Sequence, residues 1–261
     1  MVDVTANARP YLRMEHCSFH VRGTVWDSGS CSIPKDDPAV PQPTAVRGLR
    51  RIELITTDPE GAALFHQDLL GWRVWDSVAG GFECWIGQRH CASLRPATHG
   101  VRPGWYVVFA GARHDGDLVG PDEVTARMVT GRAQHGPWAP GPRRGEPRWV
   151  DLHSAEQQRS DEFWASTLGW AVDGDRYLAG DRPLAARSAA RLDGRWDWVC
   201  HFATEDVREA ADRAVAGGGR VVAEVRHPVL DEVVLIADPR GAVLGLTTDT
   251  GAWGAAPAST G

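Results

Sequence analysis

A phrase of twenty residues occurs twice in this chain, and this repetition constrains the fold more than any other feature of the sequence. ELITTDPEGAALFHQDLLGW runs from Glu53 to Trp72, and DLHSAEQQRSDEFWASTLGW runs from Asp151 to Trp170. Matching positions are separated by 98 residues at both ends of the phrase, since 151 − 53 and 170 − 72 are both 98. A constant offset over this length indicates duplication of a structural unit rather than coincidence.

Each copy of the phrase has the pattern of a strand followed by a helix. RIELITT is a short run of apolar and β-branched residues, and Asp58 followed by Pro59 is typical of a helix N-terminus. Gly71 follows the last apolar position, where a left-handed C-cap is favoured. Short strands around tight turns come after both helices, so the sequence predicts a βαβββ unit in each copy.

The chain divides into four segments. Residues 1–47 form an arm with a proline-rich linker, residues 48–140 hold the first unit, residues 146–250 hold the second, and residues 251–261 form a flexible tail. The second unit continues with a predicted helix, EDVREAADRAVA, and a strand ending, ADPRGAVLGL. The first unit has no clear helix there and no equivalent of that ending, which predicts an abridged first domain.

Composition and charge exclude several classes of partner. The 261 residues carry a formal net charge of −6 with scattered Lys and Arg, so no basic surface for nucleic acid or an anionic membrane is expected. The N-terminal residues lack the apolar core of a signal peptide, and no window reaches the roughly 20 apolar residues that span a bilayer. We therefore expect a cytoplasmic protein. Five cysteines without CxxC spacing predict neither a disulfide framework nor a zinc ribbon.

Together these features resemble the vicinal oxygen chelate superfamily, which includes glyoxalases, bleomycin-resistance proteins and extradiol dioxygenases. The resemblance rests on the two repeated phrases, the GGGRVV turn and ADPRGAVLGL, and it covers residues 48–249. It implies an α+β fold of tandem domains built from βαβββ units, with the first domain abridged, in which each sheet curls around a cavity. Such a resemblance identifies a fold and leaves the function open.

The resemblance also implies where a metal enzyme of this superfamily carries its ligands. Here those positions hold Arg51 and Trp149 for the first ligand, Tyr106 and Val199 for the second, and Gly245 for the last. None is His, Glu or Gln, and an isolated tyrosine does not make a site for a divalent ion. We therefore expect a protein without a metal or other cofactor.

Strand alternation places further side chains on the same face as these positions. The candidate acid and base groups are carboxylates and imidazoles, namely Glu53, Asp151, His153 and His201. The candidate ligand-binding groups are cationic or aromatic residues in the predicted strands of both units, whichever face they occupy, namely Arg51, Tyr106, Trp149, Trp198 and Trp85. A structural alternative stays open, in which Glu53 pairs with Arg51, and Asp151 and His153 satisfy the backbone or each other.

Two functions are compatible with this pattern. The first is a metal-independent protein that binds a small, aromatic natural product, as the sequestering antibiotic-resistance members of the superfamily do. The alternative is a metal-independent enzyme of secondary metabolism, an isomerase, cyclase or lyase, that uses a carboxylate and a histidine as acid and base. A scaffold that has lost its pocket is a third reading. We expect a small-molecule partner, a possible homodimer, and one functional cavity formed mainly by residues 146–250.

Overall fold

The computed structural model describes residues 47–248 together with Gly251 and Trp253. The predicted N-terminal arm, apart from Arg47, and most of the predicted tail lie outside these described residues. Three α-helices are present in the described part, α1 (Pro59–Leu70), α2 (Gln157–Leu168) and α3 (Val207–Ala216), and a short 3-10 helix spans Pro121–Glu123. None of them is long and apolar enough to cross a membrane.

The first repeat forms a mixed sheet of seven strands. Its strands are β1 (Leu49–Thr56), β2 (Arg73–Asp76), β3 (Phe82–Ile86), β4 (Arg89–Pro96), β5 (Gly104–Phe109), β6 (Gly116–Val119) and β7 (Thr125–Met128). They lie in the order β2-β3-β4-β1-β5-β7-β6. Strand β1 is therefore central, parallel to β4 on one side and antiparallel to β5 on the other.

The second repeat forms a sheet of eight strands. Its strands are β8 (Pro147–His153), β9 (Ala171–Asp173), β10 (Arg176–Ala179), β11 (Arg182–Ser188), β12 (Asp197–Ala203), β13 (Arg220–His227), β14 (Asp231–Ala237) and β15 (Val243–Thr247). They lie in the order β13-β14-β15-β12-β8-β11-β10-β9. Strand β8 takes the place of β1, because it is parallel to β11 and antiparallel to β12.

The predicted duplication and the α+β class are confirmed by these two sheets, and the first repeat is abridged because it lacks counterparts of α3 and β13. It nevertheless keeps more of the second half than its sequence predicted. Strand β7 is parallel to β5, as β15 is parallel to β12, and β6 pairs with β7 as β14 pairs with β15. The DPRG turn is thus dispensable for forming this pair of strands.

Helix α1 has the predicted caps, whereas the segment that leads into α2 is held by a residue from the other repeat. Asp58 accepts a hydrogen bond from the Gly61 amide at 2.9 Å, and Gly71 has the left-handed φ of 70°. Glu156 makes no side-chain cap for α2. Instead, Asp122, from the loop between β6 and β7, accepts a hydrogen bond from the Ala155 amide at 2.7 Å. The first repeat therefore stabilises a helix of the second.

Tryptophans form much of the core between the helices and the sheets. Trp198 is 2% exposed and meets Trp164 of α2 edge-on with ring centroids 5.2 Å apart. Phe109 of the first sheet packs on the same indole at 5.6 Å. These rings therefore join the two repeats into one packed interior.

Candidate functional site

The second sheet encloses a cavity of about 470 Å³ that contains a cluster of polar side chains. Asp151 and His153 reach it from β8, His201 from β12 and His227 from the end of β13. Strands β13 and β8 have three strands between them in the sheet, yet their side chains are in contact. The sheet must therefore curl strongly, which is what creates the cavity.

Asp151 is the centre of this cluster and is 6% exposed. Its Oδ2 accepts hydrogen bonds from His201 Nε2 at 2.8 Å and His227 Nε2 at 2.9 Å, and its Oδ1 accepts one from Trp149 Nε1 at 2.9 Å. Burial by itself would raise the pKa of Asp151, but the attraction and hydrogen bonds of the two imidazole N–H groups hold this pKa well below its usual range. Asp151 is therefore an anion saturated with N–H donors.

The ring of His201 lies between Asp151 on one side and the backbone of Gly245 on the other. Its Nδ1 is buried and has no hydrogen-bond partner among the described residues. Burial lowers the pKa of His201, an effect that the carboxylate of Asp151 only partly offsets. The ring is therefore neutral, with its proton on Nε2 toward Asp151.

The hydrogen bonds of His227 define its tautomer. Its Nδ1 accepts hydrogen bonds from the amides of Val229 at 3.0 Å and Leu230 at 3.1 Å, in the turn that follows β13. A proton on Nδ1 would face both of these donors. The proton of the neutral ring therefore lies on Nε2, where it is donated to Asp151.

His153 differs from the other two histidines because one of its nitrogens is available. Its Nδ1 donates to the carbonyl of Ala190 at 2.8 Å, which leaves the lone pair on Nε2. Nε2 has no partner among the described residues, and the ring lines the cavity. This nitrogen can accept a hydrogen bond or a proton from a bound molecule.

Asp151, His201 and His227 each place a potential metal-ligand atom within 4.8 Å of the others. A histidine that binds a metal through Nε2 needs its lone pair there and an acceptor for the proton on Nδ1. At His227 the Nδ1 atom accepts from two backbone amides instead. If Nε2 bound a metal, the ring proton would move to Nδ1 and would point at these two N–H groups. The observed arrangement fits a hydrogen-bonded carboxylate and does not fit a divalent metal held by these three residues.

The first sheet places a second buried carboxylate at the equivalent position, in different surroundings. Glu53 is 2% exposed and forms an ion pair with Arg127, while Arg51 and Arg95 lie 3.8 and 3.7 Å from its Oε1. Arg95 also pairs with Glu83. Arginines and their carboxylate partners therefore cover this face. Glu53 and Arg51 are paired, which agrees with a structural role for these two residues.

The remaining predicted ligand-binding residues lie apart from the cavity. Tyr106 donates from its hydroxyl to the carbonyl of Arg102 at 2.8 Å, and Trp85 stacks on His90 with ring centroids 4.6 Å apart. Both belong to the first sheet. Trp198 lies on the face of the second sheet that packs against α2, opposite to His201, because successive strand side chains alternate.

The structure thus brings together Asp151, His153, His201 and Trp149, and the roles assigned to them stay predictions. It adds His227, which is not among the predicted site residues. The available signal was a histidine followed by proline at the end of a predicted strand, a position where a side chain can accept hydrogen bonds from turn amides.

Comparison with known proteins shows that the second repeat is similar to a known family. Residues 149–247 match the family described as "Glyoxalase-like domain". Two relatives named "Putative glyoxylase CFP32", from Mycobacterium bovis and Mycobacterium tuberculosis, are 29% identical over 126 residues. The match covers 40% of this chain and 46% of each relative, so it spans less than half of their length.

Solved structures resemble a larger part of the chain. A catechol 2,3-dioxygenase has a TM-score of 0.53 at 12% identity, covering 83% of this chain and 95% of its own. The Mn(II)-bound glyoxalase from Novosphingobium aromaticivorans has a TM-score of 0.53 at 16% identity, covering 80% and 84%. The 2,3-dioxygenase LapB from Pseudomonas sp. KL28 has a TM-score of 0.53 at 16% identity, covering 83% and 96%. At such identities the likeness is one of fold.

Proposed function

Because residues 149–247 form a glyoxalase-like domain within a vicinal oxygen chelate fold, we propose that the protein binds a small organic molecule in the cavity of the second repeat. Binding takes place without a divalent metal. The molecule is held and left unchanged, so that the protein acts by sequestration, as a protein conferring resistance to a natural product would.

The observation that carries this proposal is that the polar groups of the cluster satisfy one another. Both ring nitrogens of His227 are hydrogen-bonded, and both oxygens of Asp151 accept hydrogen bonds from protein donors. His201 has its only free nitrogen buried against β15. A catalytic acid or base needs an atom within reach of the substrate, and these three residues offer none. They support a rigid binding cavity.

The cavity wall indicates the chemistry of the ligand. Among the described residues that line it, none is Trp, Tyr or Phe, and the apolar part consists of side chains such as Ala223, Val225 and Leu235. A flat aromatic ligand would lie over these side chains and stack on the guanidinium of Arg191 or on the imidazole of His153. A hydroxyl or N–H group of the ligand would donate to His153 Nε2.

The second candidate function is catalysis with His153 as the base. The observation in its favour is that Nδ1 is fixed by the carbonyl of Ala190, which orients the free Nε2 lone pair into the cavity. The lone pair on His153 Nε2 alone could remove a proton from a C–H or O–H group of a bound molecule, provided that this proton is sufficiently acidic. An isomerase or lyase reaction is the class that such a site supports.

Native mass spectrometry and metal analysis of freshly purified protein test the binding proposal. We expect a small organic molecule on the folded chain and far less than one metal ion per chain. Ala223→Phe, which fills the cavity, should abolish the added mass, whereas Ala216→Phe, at an exposed position in α3, should not. A stoichiometric metal that is lost in His227→Gln would contradict metal-independent binding. An added mass that is retained in Ala223→Phe would contradict the assignment of the ligand to this cavity.

His153→Gln separates binding from catalysis, because glutamine keeps a hydrogen-bond acceptor and removes the base. For a binding protein, the same molecule should be retained with an affinity within a few fold of the wild type. For an enzyme, the wild type should convert the molecule that co-purifies with the variant, and the variant should not. His99→Gln, at an exposed position, is the matched control.

A further inference from the structure

A second cavity, of about 310 Å³, lies where the two repeats meet. Its walls come from the end of β1, the start of β5, and the turns that precede β12 and β15. Three of the lining residues are arginines, Arg102, Arg195 and Arg240, and none of the described lining residues is acidic. This cavity shares no lining residue with the one that contains Asp151.

The three arginines differ in how they are paired. Arg102 forms an ion pair with Asp197, and Arg240 Nη2 lies 3.0 Å from Asp58 Oδ2. The guanidinium of Arg195 has no hydrogen-bond or ion-pair partner among the described residues. The cavity therefore carries one cation more than its neighbouring carboxylates neutralise.

We propose that this cavity binds a small molecule through a phosphate or carboxylate group, with Arg195 as the principal contact. A guanidinium presents a planar set of N–H donors that matches the two oxygens of such an oxyanion, and it stays charged at all physiological pH values. Leu54, Ile55 and Pro103 give the cavity an apolar side that fits the remainder of the ligand. The site does not depend on the sequestration function of the other cavity.

Asp197 competes with the ligand for the same arginines. Its carboxyl group is paired with Arg102 and is attracted by the charge of Arg195, without a direct contact to it. Asp193, which borders the same region, is already paired with Arg220. Burial raises the pKa of Asp197 to about 6, although Arg102 opposes this effect. As the pH falls through 6, Asp197 takes up a proton and releases Arg102, so oxyanion binding should strengthen.

The test is a titration with sulfate, which remains a dianion across this pH range, at constant ionic strength and followed by calorimetry and backbone-amide NMR. We expect Arg195→Gln to weaken sulfate binding about fivefold or more. Arg159→Gln removes an arginine that is 71% exposed and paired with Glu156, and it should have no effect. Equal binding by Arg195→Gln and the wild type, or an equal loss in both variants, would overturn the proposal.

A second variant, Asp197→Asn, tests the proposal independently of the loss of sulfate affinity in Arg195→Gln. Asp197→Asn removes the competing charge and keeps a hydrogen-bond acceptor, so sulfate should bind more tightly at pH 7.5 and with little dependence on pH. Unchanged affinity in Asp197→Asn would contradict the assigned competition. Inorganic phosphate and acetate, compared at pH 7.5 in the wild type, then show which of the two oxyanions the site prefers.

Discussion

The imidazole of His201 lies in the space that a side chain at Gly245 would occupy. The two residues are paired across the parallel strands β12 and β15. A Cβ atom on Gly245 would lie 2.8 Å from Cε1 and 2.9 Å from Cγ of His201, and closer still to Nδ1. The missing side chain at position 245 is therefore what allows His201 to reach Asp151.

Gly245→Ala should destabilise the protein by about 1–3 kcal/mol, because the added methyl group overlaps the His201 ring in a packed interior. Urea denaturation measures this change. Gly116→Ala is the matched control, since Gly116 also lies in a strand and a Cβ there would meet nothing within 4 Å. Equal unfolding free energies for the two variants would show that His201 moves aside without cost.

The tautomers of the three cavity histidines should be visible by NMR. Long-range ¹H–¹⁵N correlation at neutral pH should show His201 and His227 with the proton on Nε2 and His153 with the proton on Nδ1, because of the hydrogen bonds that each ring makes. A proton on Nδ1 of His227 would remove the objection to metal binding. His153 serves as the internal comparison in the same spectrum.

Each chain should bind one cavity ligand, although it contains two repeats. The face of the first sheet that corresponds to the cavity is occupied by the ion pairs around Glu53, in which Arg127 and Arg95 take part. Native mass spectrometry should therefore show one copy per chain of the molecule that occupies the cavity of the second repeat, and Ala223→Phe should remove this copy completely. Two equivalent additions per chain would mean that these ion pairs open for a ligand.

The parts of the structure that could be predicted are those set by local patterns. The constant offset predicted two equivalent sheets, and strand alternation placed Asp151, His153 and His201 on one face of the second sheet. The same alternation separates Trp198 from His201, so its burial against α2 follows from the rule that located the site.

The contacts that could not be predicted depend on curvature and on loops. His227 reaches Asp151 only because the sheet curls across three intervening strands, and no local pattern specifies the degree of curl. Asp122 binds the amides that precede α2 from a loop of the other repeat, a contact without any sequence signal near the helix. Such contacts arise from tertiary packing, which local sequence patterns do not determine.

Stability should fall as the pH drops from 7 to 5, because several histidines are buried in the neutral form. Burial lowers the pKa of His135 from 6.5 to about 4, and it also lowers the pKa values of His66 and His201. Their folded-state pKa values lie below the unfolded value, so stability is complete above about pH 6.5 and is lost as the unfolded state takes up protons.

Replacing one of these histidines should reduce that dependence. The loss of unfolding free energy between pH 7 and 5 should be smaller by about 2 kcal/mol in His135→Gln than in the wild type. Urea denaturation at several pH values measures the slope. His99→Gln, at an exposed position, should keep the slope of the wild type, and an unchanged slope in His135→Gln would mean that this histidine is protonated in the folded state.

Asp122 couples the two repeats through the N-terminus of α2. Its Oδ2 accepts hydrogen bonds from Ser154 Oγ at 2.6 Å and from the amides of Ala155 and Glu156, and its φ of 56° lies in the left-handed region. Asp122→Ala should therefore cost about 1–3 kcal/mol, because these donors lose a charged acceptor, with added strain from alanine at this φ.

Hydrogen exchange can distinguish the loss of these contacts from general destabilisation. In Asp122→Ala, the amides of Ala155 and Glu156 should exchange faster than in the wild type, before any change in the core strands. Asp122→Asn should be milder, because asparagine tolerates the left-handed region and keeps one acceptor oxygen. Asp117→Ala removes a nearby aspartate, 70% exposed and paired with Arg127, and should leave these amides unchanged. Equal exchange in the two alanine variants would show that α2 begins without help from the first repeat.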